Sequence, residues 1–322
     1  MKIIKNIINW TIWGLVALYL LLMLVIHIPA CQTFLGNKIA EAIEEKLATK
    51  VSIGRVDLGF LNRVIIDDLL IYDQQQKQML KAARLSVRMD ILPLAEGRIR
   101  ISSAQLFGAH ANLYKQTAEA KPNFQFVVDS LASKDTTSHT PLDLHINSLI
   151  IRRSSVAFNQ LDAPETSGLF NAKHLHVNDL SVHLILKALT DDSLDVNVKR
   201  LGLSEQSGLD IDNLSFKLKA GRTGATLSDF LLAMPSTQVK ADSIKTDYQM
   251  NGNQLVLSSL RYRGVIEDTY ITHSDLRCFH APLKNSQKPV HLSTTFSGTS
   301  DYVDIPQLHL YTDAGELDLQ VS

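Results

Sequence analysis

The chain has 322 residues, with 32 basic against 33 acidic side chains and a net charge of −1. No block of Lys or Arg is present to neutralise a phosphate backbone, which argues against a nucleic-acid partner. Two cysteines, Cys31 and Cys278, cannot form a disulfide framework. The fold must therefore hold by burial, for which a hydrophobic content of 45% is enough.

Taken in order, the first element is the stretch 7–28 (IINWTIWGLVALYLLLMLVIHI), 22 residues without an acid, Lys or Arg. At about 1.5 Å per residue, such a helix covers a hydrocarbon core of about 30 Å. The reading is a transmembrane anchor. Trp10 and Trp13 sit where amphipathic rings meet headgroups, and Leu20 and Leu24 lie in the apolar body. Lys2 and Lys5 mark residues 1–6 as a cytoplasmic tail, and the first carboxylate is Glu41, so the rest of the chain is expected on the far side. Two rivals fit less well. A cleaved leader has a shorter apolar region, and a lipid-modified Cys31 would have Pro29 close to its processing site.

Residues 32–48 place Leu35, Ile39, Ala42, Ile43 and Leu47 at helical spacing, with Lys38, Glu41, Glu44, Glu45 and Lys46 mostly opposite. This amphipathic helix is expected to cap the near end of the β region, in preference to lying on a membrane. From residue 51 the period changes to two, giving a first β module over 51–114. In residues 84–92, Leu85, Val87, Met89 and Ile91 alternate with Arg84, Ser86, Arg88 and Asp90. Residues 115–141 interrupt the pattern with a short helix after Pro122 and a polar loop. Residues 142–322 return to short strands at fairly regular spacing, ending in mid-pattern as though they continued.

The strands carry a repeat of apolar, any, apolar, two polar, apolar, any, apolar. Copies are Val64 and Ile66 before Asp67-Asp68, then Leu69 and Ile71; Ile99 and Ile101 before Ser102-Ser103, then Ala104 and Leu106; Leu144 and Ile146 before Asn147-Ser148, then Leu149 and Ile151. Others are Leu175 and Val177 around Asn178-Asp179 with Leu180 and Val182; Val196 and Val198 around Lys199-Arg200 with Leu201 and Leu203; Leu209 and Ile211 around Asp212-Asn213 with Leu214 and Phe216. Further copies centre on Ser258-Ser259 and Pro306-Gln307, with a weaker one on Asp242-Ser243. Two polar residues where alternation allows one would flip the apolar face unless a bulge absorbs the extra residue. The expected fold is mainly β, a long curved antiparallel sheet with an apolar concavity. A closed sandwich, in which the same face is core, is the alternative.

A span ending in Ile-Pro, then VSIGRVDLGF, VIIDDLLIYD, ARLSVRMDILPLAEGRIRISSAQLFGAHANLYK and NFQFVVDSLASKD, resembles the start of the TamB branch of the AsmA-like proteins (translocation and assembly module). The resemblance covers residues 1–160, with generic repeats beyond; the domain that marks the far C-terminal end of that branch is not in these residues. It implies an inner-membrane anchor and a β-groove in the Gram-negative periplasm. Phospholipid would move between the inner and outer membranes, with an outer-membrane β-barrel assembly protein as distal partner. It brings no catalytic residue and no cofactor. The groove-lining candidates are Val64, Ile66, Leu85, Val87, Met89, Ile91, Leu144, Ile146, Leu149, Ile151, Leu175, Val177, Leu180, Val182, Leu209, Ile211, Leu214 and Phe216.

No nucleophile elbow, phosphate-binding glycine loop or zinc-protease motif occurs, so an enzyme is not expected. His174, His176 and His183 sit on a polar strand face without a completing ligand set and read as solvated histidines. Asp67-Asp68 reads as a polar bend, since Ser-Ser and Asn-Ser replace it in other copies. Arg98 and Arg100 are candidates for meeting phosphate at a groove rim, against an ordinary solvated strand face.

Overall fold

The computed structural model describes residues 2–26, 28–59, 62–89, 99–132, 142–190, 193–252, 254–280 and 288–321. Two compact units are present. The first comprises Met1–Ala111 with Asn123–His145, the second Asn112–Pro122 with Ile146–Ser322.

The first unit begins with helix α1 (Lys2–Ile26), 25 residues long. Among the described residues no helix is long and apolar enough to cross a membrane. The span expected over 7–28 is thus not found as such, although residues 7–26 lie within one continuous helix. Its described apolar side chains are largely exposed, from Trp10 at 80% to Val16 at 41%.

Helix α2 (Pro29–Leu47) starts earlier than the expected 32–48, because Pro29 occupies the first turn, where its missing N–H costs nothing. It ends at Ala48, which turns left-handed at φ 50°. The Glu44 carboxylate accepts the Val51 N–H at 2.8 Å, which ties the helix to the first strand.

The antiparallel strands of this unit are β1 (Val51–Ser52), β2 (Arg55–Gly59), β3 (Arg63–Tyr72), β4 (Gln78–Met89) and β5 (Ile99–Lys115), the last running past Ala111 into the second unit. β3 pairs with β4, β4 with β5, and both β1 and β2 with β3. Register puts Val56, Ile66, Leu85 and Leu106 in one cross-strand row, and Leu69, Ala82 and Ala109 in another. Directly opposed residues share a face. That face is core: Val56, Val64, Ile66, Leu69, Ala82 and Ala109 are buried with Ala40 of α2, and Ile39 and Ile43 pack against them. Helix α3 (Gln125–Ala132) completes the unit.

The second unit holds β6 (Leu142–Gln160) from Ile146 on, β7 (His174–Thr190), β8 (Ser193–Glu205), β9 (Asp210–Gly221) and β10 (Gly224–Ala233). Beyond them come β11 (Gln238–Asn251), β12 (Gln254–Thr272), β13 (Pro289–Thr299), β14 (Val303–Thr312) and β15 (Gly315–Val321). Each pairs antiparallel with the next, and among the described residues no pairing joins β15 to β6, so the sheet is open. Strands of up to 19 residues replace the short strands expected. The reason is that each repeat lies within one strand, save for Leu209, which just precedes β9.

The two-polar step is where the ladders slip. Register shifts fall at or beside Ser102, Asp179, Lys199, Asp212, Asp242, Ser258 and Pro306. Asp68 and Asp179 turn left-handed, at φ 55° and 50°. Asp229, Asp268 and Arg153 do the same outside the expected positions. Asp is among the few side chains that reach this conformation at low cost. Asn147-Ser148 shows no shift among its described pairs; the slip in β6 comes at Arg153 instead.

Candidate apolar binding face

In the second unit, rows of apolar side chains run across the strands. One runs through Leu186, Val196, Leu218, Leu227, Ile244, Gly264 and Phe296 over seven consecutive strands. Another runs through Ile151, Val182, Leu201, Leu214, Leu232 and Val239. A shorter row joins Leu149, Leu184, Val198 and Phe216. Gly264 does not interrupt the first row. A Cβ there would stand 2.5 Å from Phe296 Cζ and 3.0 Å from Ile244 Cγ1, so the Phe296 ring lies over the glycine and fills its place.

No helix packs on this sheet among the described residues, and the principal contacts of β7 through β15 are with neighbouring strands. Most side chains of the rows are half-buried, with Val198 buried. Each leaves apolar area in water that a further layer would cover.

Neighbouring positions in the same strands point to the opposite face and carry charge. Lys217 pairs with Asp229 at 2.6 Å, and Lys219 reaches Asp195 at 3.7 Å. Lys245 and Arg263 are direct cross-strand partners, an unfavourable like-charge pair that only a solvated face tolerates. The sheet thus has one greasy face and one wet one.

Of the candidates read from the sequence, Leu149, Ile151, Val182, Leu214 and Phe216 are brought together in these rows. Leu175 opposes Phe158, Val177 opposes Val156, and Ile211 opposes Leu203. Leu180 stands opposite Ser154, and Leu209 precedes β9 in a turn, so neither joins an apolar row. Leu144 and Ile146 lie in β6 and Met89 ends β4, whereas Ile91 and Arg98 lie outside the described residues. Val64 and Ile66 are buried core of the first unit, and Leu85 and Val87 pack against that core under α2. Reading the sequence missed Leu184, Leu186, Leu218, Leu227, Leu232 and Phe296. Plain alternation in GATLSDFLLA, which lies outside every repeat copy, was the available signal for β10.

Among the described residues no cluster of three or more His, Cys, Asp or Glu could hold a metal. His174 is engaged locally, its ring nitrogens 3.1 Å from Asn159 Oδ1 and 2.9 Å from the Ala163 carbonyl. Asp67 is a buried structural carboxylate. Arg84 Nε donates to it at 2.7 Å and Arg55 Nη2 at 2.6 Å. Hydrogen bonding from Arg84, then from Arg55, holds its carboxyl below the usual range against the opposing effect of burial. Burial alone would raise Glu205, but hydrogen bonding from Ser207 first, and then from the N–H groups of His176 and Gln206, outweighs it and lowers the pKa. Burial pushes the Cys278 thiol up.

No family model matches the chain, and no curated protein matches it significantly.

Proposed function

We propose that the chain is a membrane-anchored periplasmic conduit whose open β face carries phospholipid acyl chains between inner and outer membrane, in the manner of the AsmA-like proteins that residues 1–160 resemble. The observation that carries this reading is the row from Leu186 to Phe296, apolar across seven strands and uncovered by any helix among the described residues. Each CH2 shielded from water gains about 0.8 kcal/mol. A face that repeats itself strand after strand offers similar energy at each step, so a chain slides along it without a deep trap. Such a path equalises lipid between its ends and supplies no direction; it needs no catalytic group.

Anchoring is supported by α1, where residues 7–26 are 20 uncharged residues within one helix. Trp10, Leu15, Leu18, Leu20, Leu21 and Leu24 are exposed to whatever surrounds the helix. The polar face, with Lys217, Lys245 and Arg263, would remain in water. An outer-membrane β-barrel assembly protein as distal partner belongs to the same proposal.

A photo-crosslinking amino acid at Val196, Leu218 or Leu227, with Lys217 and Lys245 as controls on the other face, tests the reading in membranes containing labelled phospholipid. Label at the first three and none at the lysines is expected. Label at neither set means the apolar face is closed in the working protein, and the chain is then a tethered β-rich binding or structural protein.

A further inference from the structure

Helix α2 runs antiparallel to β1 and β2, so its two ends fall at opposite ends of the first unit's sheet. Glu44, near its C-terminus, is bonded to Val51. About two turns earlier, a Cβ at Gly36 would stand 3.5 Å from Ile53 and 3.8 Å from Val56. Carried back at about 1.5 Å per residue, the helix brings its first turn to the end of β2 at Gly59. There α1, which ends at Ile26, leads into α2, and its contact with the sheet is made on β2. The junction therefore lies where Gly59 pairs with Arg63.

On the face of the sheet away from the core, register sets Arg55, Asp57 and Gly59 beside Arg63, Ile65 and Asp67, and Arg84, Ser86 and Arg88 on the far side of these. Asp67 holds Arg55 and Arg84, at 2.6 and 2.7 Å. At the junction, Arg63 and Arg88 are direct cross-strand partners. Arg88 is exposed and Arg63 half-buried, and among the described residues neither forms an ion pair. Repulsion between two guanidinium groups held opposite each other is screened by water, and it is removed by an anion that bridges them. On the helix side of the same end, Ile28 is 51% exposed and Phe34 60%. Basic side chains beside exposed apolar ones are the composition of a surface that rests in a headgroup layer.

We infer that this end of the first unit is a seat on the bilayer that α1 enters, with Arg63 and Arg88 holding the phosphate of an anionic phospholipid and Ile28 and Phe34 at the level of the upper acyl chains. The inference rests on the anchor reading of α1. Position selects the occupant: beside the exit of an anchor, the phosphate of the surrounding bilayer is the anion within reach. Lys245 and Arg263 make a similar like-charge pair in the second unit, but on strands whose principal contacts are with other strands. The seat also sets how the sheet stands. The turn at 73–77, at the other end of β3 and β4, is on the order of 30 Å along the strands from Arg63 and clear of the headgroups.

The test uses the full chain in vesicles of phosphatidylglycerol and phosphatidylcholine. These carry trace phospholipid with a photoreactive group either in the headgroup or at an acyl terminus, and labelled residues are mapped by mass spectrometry. The acyl probe is expected on α1, and the headgroup probe on residues 62–65 and 86–88 but not on 74–77. Arg63→Gln and Arg88→Gln should each lower that headgroup label about fivefold, the weight of one basic residue near an anionic surface. The double variant Lys245→Gln, Arg263→Gln should leave it unchanged. Retained hydrogen-exchange protection of the β3 amides shows that each arginine variant is folded. Acyl label on α1 with headgroup label equal at both ends of β3, absent from both, or unaltered in the folded arginine variants overturns the seat and leaves the anchor standing. An equal drop in the Lys245, Arg263 variant makes the effect one of net charge and overturns the seat as well. No acyl label on α1 overturns the anchor reading and the seat with it.

Discussion

The two units use the same cross-strand rows to different ends. In the first, the row of Val56, Ile66, Leu85 and Leu106 lies under α2, and Val56 and Ile66 are 1% and 4% exposed. In the second, the rows through Leu218 and Leu227 have no described helix above them and stay half-buried. Side-chain chemistry does not differ between them. What differs is one amphipathic helix, Pro29–Leu47, and its cover turns a sheet face into a core. Alternation in a strand therefore tells which side is apolar and not whether that side is closed.

The sharpest test of this comparison is truncation in each unit. Ile66→Ala removes buried atoms from a packed core and should cost about 2–4 kcal/mol. Leu227→Ala, at a half-buried position, should cost about 1 kcal/mol. Native-state hydrogen exchange of β3 and β10 amides measures both; equal losses would mean the second unit's face is as well covered as the first.

The next effect concerns the charge beneath the first unit's sheet. Asp67→Asn removes the acceptor of Arg55 and Arg84 and should destabilise that unit by about 1–2 kcal/mol at neutral pH. Because the folded carboxyl has a lowered pKa, its contribution is complete above the unfolded value of about 3.9 and fades as pH falls through the folded value. Urea titrations of wild type and variant should therefore converge in acid. A gap that persists at a pH of about 2, below the ordinary carboxylate range, would assign the loss to packing.

A smaller effect tests the bends. Asp268 sits at φ 47° within β12, where a β-branched side chain is strained. Asp268→Val should cost about 1 kcal/mol, and Asp268→Gly should change stability little by comparison. Similar thermal midpoints for the two variants would show that the slip between Ile266 and Thr269 does not depend on the left-handed residue.

The smallest effect is a titration. His309 Nδ1 contacts Asp318 Oδ1 at 2.5 Å, and that bond raises the histidine's pKa above its ordinary value. Any stability the pair adds is complete below the unfolded histidine pKa of about 6.5 and disappears as pH rises through the folded value. The NMR midpoint of His309 should lie above the ordinary histidine value of about 6.5 and fall back in Asp318→Asn; no shift between the two would remove the pair.

The sequence by itself determined the helix-to-strand change near residue 50, the short helix after Pro122, and many but not all of the places where strands bend, those at Arg153, Asp229 and Asp268 falling outside the repeat. The physical reason is that period and polarity are local: Asp179 and Lys199 each break alternation within their own strand, and the ladder slips there. Only the tertiary structure decided the rest. That Val64 and Ile66 are core while Leu149 and Ile151 stay half-buried depends on which face α2 reaches. That Leu186, Val196, Leu218, Leu227 and Ile244 form one row depends on how each strand's bulge realigns it with the next. Residues 273–280, after β12, meet turns that lie as much as about a hundred residues earlier in the chain. A contact at that separation leaves no periodic trace, because its partners are set by the order of strands in the sheet and not by their spacing in the chain.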